Sequence, residues 1–211
     1  MKLGNVLILG DSYSTFEGCI PNGYACYYIA AGKPETDVTE KEQTWWAQLI
    51  QETGANLVMN NSWSGSTICN TGYDQADFTH ESFITRVDAL IENEFFQKNE
   101  IDTVFIFGGT NDSWAGSPVG SLQFENWSKK DLYEVLPATC YLLHRLKTAT
   151  PVKRIVVLVN TLLSPAVEKG LIEAAEHYQV DCVRFEKIAK ACGHPTIQGM
   201  RDIKNELLQK L

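Results

Sequence analysis

The chain has 211 residues, 44% of them hydrophobic and 21% charged, with a formal net charge of −8 at pH 7. That is the profile of one globular domain large enough to bury its own core, and its acidic balance argues against nucleic acid or an anionic membrane as partner. No run approaches the roughly 18 apolar residues of a membrane span, and the apolar run at 6–9 is too short for an export signal, so a cytoplasmic location is expected unless such a signal has been removed.

Residues 6–9 read as a short apolar strand that stops at Gly10-Asp11-Ser12. Residues 44–54 (TWWAQLIQETG) have helical spacing and a terminal glycine suited to a C-cap, and 56–60 form a second strand. A long amphipathic helix is expected over 81–96, with Phe83, Ile84, Val87, Leu90 and Ile91 on one face. The strongest strand is 102–107 (DTVFIF), followed by a helix at 131–148 and a strand at 154–160 (RIVVLVN). A helix at 165–178, a short strand at 180–184 and a helix at 198–211 complete the chain. Strands separated by helices imply right-handed crossovers and a parallel sheet covered on both faces. The expected fold class is therefore a three-layer α/β/α arrangement of about five strands, in a single domain over 1–211.

Two connections, 13–43 and 108–128, are far longer than usual and both follow strand ends. They carry Phe16, Tyr24, Tyr27 and Tyr28 in the first, and Trp114, Phe124 and Trp127 in the second, and are expected to flank one crevice. The six cysteines (Cys19, Cys26, Cys69, Cys140, Cys182, Cys192) form no CxxC pair. That spacing is poor for zinc, so they are read as reduced, small apolar fillers.

Strand ends in an open α/β sheet open onto the crevice where ligands sit. Ser12 follows the first strand, Asn61-Ser62-Trp63-Ser64-Gly65-Ser66 the second, and Gly108-Gly109-Thr110-Asn111-Asp112 the third, while Gly193-His194-Pro195 precedes the last helix. A serine hydroxyl becomes a nucleophile when a base takes its proton, and histidine is the usual base. Glycine N–H groups and an asparagine amide are fitting donors to the oxyanion that forms.

These four blocks, in this order, resemble those of the SGNH hydrolases, the GDSL-type esterases and lipases. The resemblance runs from about residue 5 to residue 200 and implies a flavodoxin-like sheet between helices. It implies Ser12 as nucleophile, His194 as general base, and an oxyanion hole made by the N–H of Ser12, that of Gly65 and the side-chain amide of Asn111. In one respect the chain departs from the family, which commonly has an aspartate three residues before the histidine; here Ala191 stands there. Either a backbone carbonyl near Ala191, or Glu186 or another acid from elsewhere, must then orient the imidazole, or the enzyme is slow; a Ser–His dyad helped by a carbonyl is the favoured expectation.

Asp11 is expected to bond loop backbone and Asp112 to brace its loop, neither being catalytic. His80, His144 and His177 lie in or beside predicted helices and read as structural or exposed. Tyr13, Trp63 and Trp114 adjoin the motif residues and are expected at the substrate pocket, where flat rings would suit a sugar. The expected substrate is a small acyl ester, acetylated carbohydrate first, with a lipid or thioester next; no cofactor or metal is needed. The rivals are a catalytically weak or inactive binding scaffold, and a module holding phosphate or flavin on the hydroxyl-rich turn of Ser12, Ser14 and Thr15; the second lacks any glycine-rich phosphate loop.

Overall fold

A computed structural model describes residues 2–211. Five strands, β1 (Asn5–Gly10), β2 (Asn56–Ser62), β3 (Thr103–Phe107), β4 (Arg154–Val159) and β5 (Asp181–Arg184), form one sheet in the order β2-β1-β3-β4-β5. Every neighbouring pair is parallel. Helices α1 (Trp45–Thr53), α2 (Phe83–Glu92), α3 (Phe95–Lys98), α4 (Thr110–Ala115), α5 (Val135–Ala149), α6 (Pro165–His177) and α7 (Ile197–Lys210) fill the connections. A two-stranded antiparallel hairpin, β6 (Lys190–Ala191) and β7 (His194–Pro195), stands apart from the sheet.

Successive strand residues point to opposite faces, which divides the core in two. Leu7, Leu9, Val104, Ile106, Ile155 and Val157 pack with α2, α5 and α6. Val6, Ile8, Phe105, Phe107, Val156 and Leu158 pack on the other side, with α1 and α7. Because both faces are covered, the inner strands are continuously apolar, and this made 102–107 and 154–160 legible. The three-layer expectation holds.

Element boundaries moved for local reasons. The helix expected over 81–96 breaks where Glu94 takes φ 58, so α2 ends at Glu92 and α3 starts anew. The segment from 131 opens as a 3-10 turn, Asp131–Tyr133, and the α-helix begins at Val135; this places Pro137 in the first turn, where its missing N–H has no intrahelical acceptor to lose. Strand β2 runs two residues beyond the expected end, to Ser62. Part of the long 108–128 connection coils into α4, bounded by Gly109 (φ 89) and Gly116 (φ 62). Cys69 and Cys140 are buried as expected of fillers, but Cys182 and Cys192 are exposed, so the filler reading fails for those two. Among the described residues, no helix is long and apolar enough to cross a membrane.

Candidate active site

Strand β1 delivers Ser12 into a single 3-10 turn, Ser12–Ser14, capped by Asp11, whose Oδ1 accepts the Tyr13 N–H at 3.0 Å. The turn is locked from below: Trp46 Nε1 and Asn60 Nδ2 donate to the Ser14 carbonyl at 2.9 and 2.7 Å, and Trp45 Nε1 donates to Ser14 Oγ at 3.2 Å. Buried Arg86 ties this turn to the neighbouring strand end. Its Nη1 donates to the Asn61 carbonyl and Oδ1 (2.5 and 2.9 Å), and its Nη2 to the Gly10 carbonyl and Ser66 Oγ (3.2 and 3.0 Å). Burial lowers its pKa to about 10, which leaves it a cation at neutral pH. Burial also raises Asp11 to about 7 against the pull of its bond from the Tyr13 N–H.

Histidine 194 arrives on the hairpin. Cys192 and Gly193 form its two-residue turn, with φ 46 and 80; two consecutive positive φ values mark the type I′ geometry that suits a tight hairpin and favours glycine. His194 Nε2 lies 2.9 Å from Ser12 Oγ, and Nδ1 lies 3.2 Å from the Cys192 carbonyl oxygen. A carbonyl only accepts, so Nδ1 carries the proton and the neutral ring presents Nε2 as acceptor to the serine hydroxyl. Burial pushes the imidazole down to about 4; the Cys192 carbonyl opposes this, and Lys33 and Lys190 add to it. Ala191 is the cross-strand partner of His194. Glu186, one candidate to orient the imidazole, instead lies 3.8 Å from Lys210 with its side chain 79% exposed.

Tyr13 was expected at the pocket wall, but it is fully buried. Its hydroxyl donates to the Gly193 carbonyl at 2.5 Å, and buried Tyr28 donates likewise to the Pro195 carbonyl at 2.9 Å. The phenol length explains this outcome: from the turn after β1, Tyr13 reaches beneath the hairpin rather than out to solvent.

Gly65 sits in a turn closed by the Ser66 N–H on the Trp63 carbonyl (3.2 Å), with φ +89 and open space where a Cβ would project. Its backbone conformation, not crowding, calls for glycine. Asn111 is buried in the first turn of α4. Its Nδ2 donates to the Ser66 carbonyl at 3.0 Å, and its Oδ1 accepts the Tyr73 hydroxyl at 2.7 Å, which fixes which way the amide faces. Asp112 accepts the N–H groups of Ile68 (3.0 Å) and Cys69 (3.2 Å), so it braces the 66–69 loop across the site rather than its own. Burial raises its carboxyl to about 6.

Trp63 packs on Tyr24, with centroids 4.1 Å apart, and Trp114 turns its edge to His194 at 5.7 Å. Trp114 is 45% exposed and Tyr73 37%, two of the three exposed large hydrophobic side chains among the described residues. His144 packs beside Trp127, half-buried, and His177 stacks on Phe124 at the exposed surface. A cavity of about 790 Å³ lies between α1 and the β2 edge; Trp46, Ile50, Leu57 and Met59 line it, and Ser12, Gly65, Asn111 and His194 do not. Sequence reasoning missed Tyr73 and Arg86; nothing in their spacing marks either.

The model of the GDSL-like Lipase/Acylhydrolase family matches residues 4–211, and the chain belongs to that family of ester hydrolases. A structure from Bacteroides ovatus ATCC 8483 described as a GDSL-like lipase is 43% identical, with 99% of this chain and 98% of that one covered and a TM-score of 0.91. A second GDSL-like lipase structure, from Bacteroides uniformis ATCC 8492, is 44% identical over 99% and 95%, with a TM-score of 0.92. A family two carbohydrate esterase from Clostridium thermocellum, in complex with cellohexaose, shares the fold at 17% identity and a TM-score of 0.67, covering 99% of this chain and 64% of its own. Among curated proteins none matches the chain.

Proposed function

We propose that the chain hydrolyses short-chain acyl esters, acetylated carbohydrate foremost, through an acyl-enzyme on Ser12. The observation that carries this is the 2.9 Å approach of Ser12 Oγ to His194 Nε2, with the opposite ring nitrogen committed to the Cys192 carbonyl. Ser12 Oγ attacks the ester carbonyl while its proton passes to Nε2. The oxyanion is met by the N–H groups of Ser12 and Gly65 and by the Asn111 amide. Collapse expels the alcohol, which takes the proton from Nε2. Water then attacks the acyl-enzyme, gives a proton to the same nitrogen, and the acid leaves as Ser12 regains its hydrogen.

Two exposed aromatic rings beside the site, Trp114 next to His194 and Tyr73 next to Asn111, support a flat, amphipathic leaving group such as a sugar. The Clostridium thermocellum esterase, seen with cellohexaose, has the same fold. The test is hydrolysis of p-nitrophenyl acetate, butyrate and octanoate, beside acetate release from an acetylated cello-oligosaccharide. Acetate should lead octanoate by at least about tenfold in kcat/KM, as expected where a pocket rejects surplus methylenes. An octanoate preference would move the substrate class to lipid esters.

Tyr73 gives a separate check. In Tyr73→Phe the Asn111 amide loses one of the two bonds that set its orientation, keeping its donor and its bond to the Ser66 carbonyl. Since removing an oxyanion donor outright costs about 10²–10³ in kcat, we expect a loss on the order of tenfold in kcat with KM little changed. Equal turnover in variant and wild type would remove Tyr73 from the oxyanion hole.

A further inference from the structure

We propose that Tyr27 is a positioning residue: its ring, laid flat against the His194 imidazole, holds the plane that a carboxylate would otherwise hold, and Lys33 on the ring's other face disfavours a second positive charge beneath it. This rests on the Ser12–His194 reading above. The Tyr27 and His194 centroids are 3.5 Å apart with the planes 7° from parallel, and Lys33 Nζ stands 3.6 Å from the same Tyr27 centroid. Two groups that close to one centroid must take opposite faces, so the order is ammonium, phenol, imidazole.

The need for such a clamp follows from Ala191. A carbonyl 3.2 Å from Nδ1 fixes the tautomer, but as a neutral acceptor it grips the ring more weakly than a carboxylate would. Tyr27 supplies the missing restraint because it is itself held. Its N–H donates to Thr15 Oγ1 at 2.9 Å, and its ring meets Tyr28 edge-on at 4.9 Å. The loop is fastened over the hairpin by the Tyr28 hydroxyl on the Pro195 carbonyl (2.9 Å) and by Asp37 Oδ1, which accepts the Ile197 N–H (2.8 Å). The Tyr27 hydroxyl is buried without a hydrogen-bond partner among the described residues, so the ring face, not the oxygen, is what the site uses.

The groups facing the pair are Lys33 and Glu35 from the loop, Lys190 from β6, Cys192 from the turn and Tyr13 from below. Both lysines oppose protonation of His194, in the same direction as its burial. Removing Lys33 therefore raises the proton affinity of the imidazole.

The experiment measures kcat, KM and the pH profile of kcat/KM on p-nitrophenyl acetate for Tyr27→Leu, Tyr27→Phe, Lys33→Gln and Ser12→Ala. Tyr27→Leu should lose about 10²-fold in kcat, as expected of a misplaced base, with KM little changed. Tyr27→Phe should restore most of that loss. Lys33→Gln should move the acid limb upward by about half a pH unit, the scale of one partly solvated charge at this range. Full kcat in Tyr27→Leu, or no rescue by phenylalanine, overturns the proposal, as does an unmoved limb in Lys33→Gln, a variant that also decides the matter if Tyr27→Leu does not fold. Ser12→Ala separates the two readings: turnover retained there sinks the dyad and the clamp together, whereas turnover lost there but full in Tyr27→Leu sinks the clamp alone.

Discussion

Ser12→Ala should lower kcat on p-nitrophenyl acetate by about four orders of magnitude or more, and should abolish labelling by a fluorophosphonate. The Ser12 hydroxyl is 2.9 Å from His194 Nε2, and the turn around it is held by Asp11, Trp45, Trp46 and Asn60, none of which bonds to that hydroxyl. Removing one oxygen therefore leaves the scaffold standing, and the melting temperature should stay close to that of wild type. The backbone donors also remain, so residual turnover of about 10³-fold over water would not contradict the reading. Wild-type turnover in this variant would end it.

Loss of the base should be nearly as costly. For His194→Ala we expect about four orders of magnitude in kcat, since nucleophile and base act as one unit and their losses do not add. Wild type carries a further signature. The imidazole must be neutral to accept the serine proton, and its folded pKa is lowered from 6.5 to about 4. Protonation, and with it loss of kcat/KM, thus comes only as pH falls through about 4, leaving the profile flat through pH 5 and 6. A limb near 6.5 would show an imidazole bathed in water, contrary to the burial described.

Much of the fold and of the candidate site's placement was legible in the chain because the candidate blocks sit where strands end. Ser12 and Asn111 follow apolar runs of inner strands, easy to read because both sheet faces are covered, whereas Gly65 follows the edge strand β2, whose polar end was harder to place. His194 was readable from its block, but its carrier was not: Cys-Gly is no usual hairpin signal, and β6 and β7 are two residues each. The carbonyl that meets His194 Nδ1 comes from Cys192, one residue past the alanine that marked the gap. Tyr27 lies in a connection without regular elements and meets a ring 167 positions away; periodicity carries no information at that range. Tyr13 was misplaced for the opposite reason, since adjacency to the nucleophile says nothing about which side of a turn a side chain leaves from. The break between α2 and α3 depends on one left-handed residue, Glu94, within an otherwise unbroken apolar period.

Three ionisable groups under and beside Ser12 are all displaced toward their uncharged forms: Asp11 to about 7, Asp112 to about 6 and His194 to about 4. Between roughly pH 4 and 6 the two carboxyls carry little charge to repel an anion forming above them, while the buried Arg86 guanidinium beside them stays a cation. In such a medium an oxyanion has few competitors for nearby dipoles, and each N–H aimed at it counts for more than it would in water. Since both folded values lie above the ordinary 3.8, stability falls as pH rises from about 4 toward 6 and 7 and levels off above, where the two acids are charged in place and oppose any negative charge developing on the substrate. On the proposed reading, the medium in which the ester is cleaved is thus set as much by residues that never touch it as by those that do.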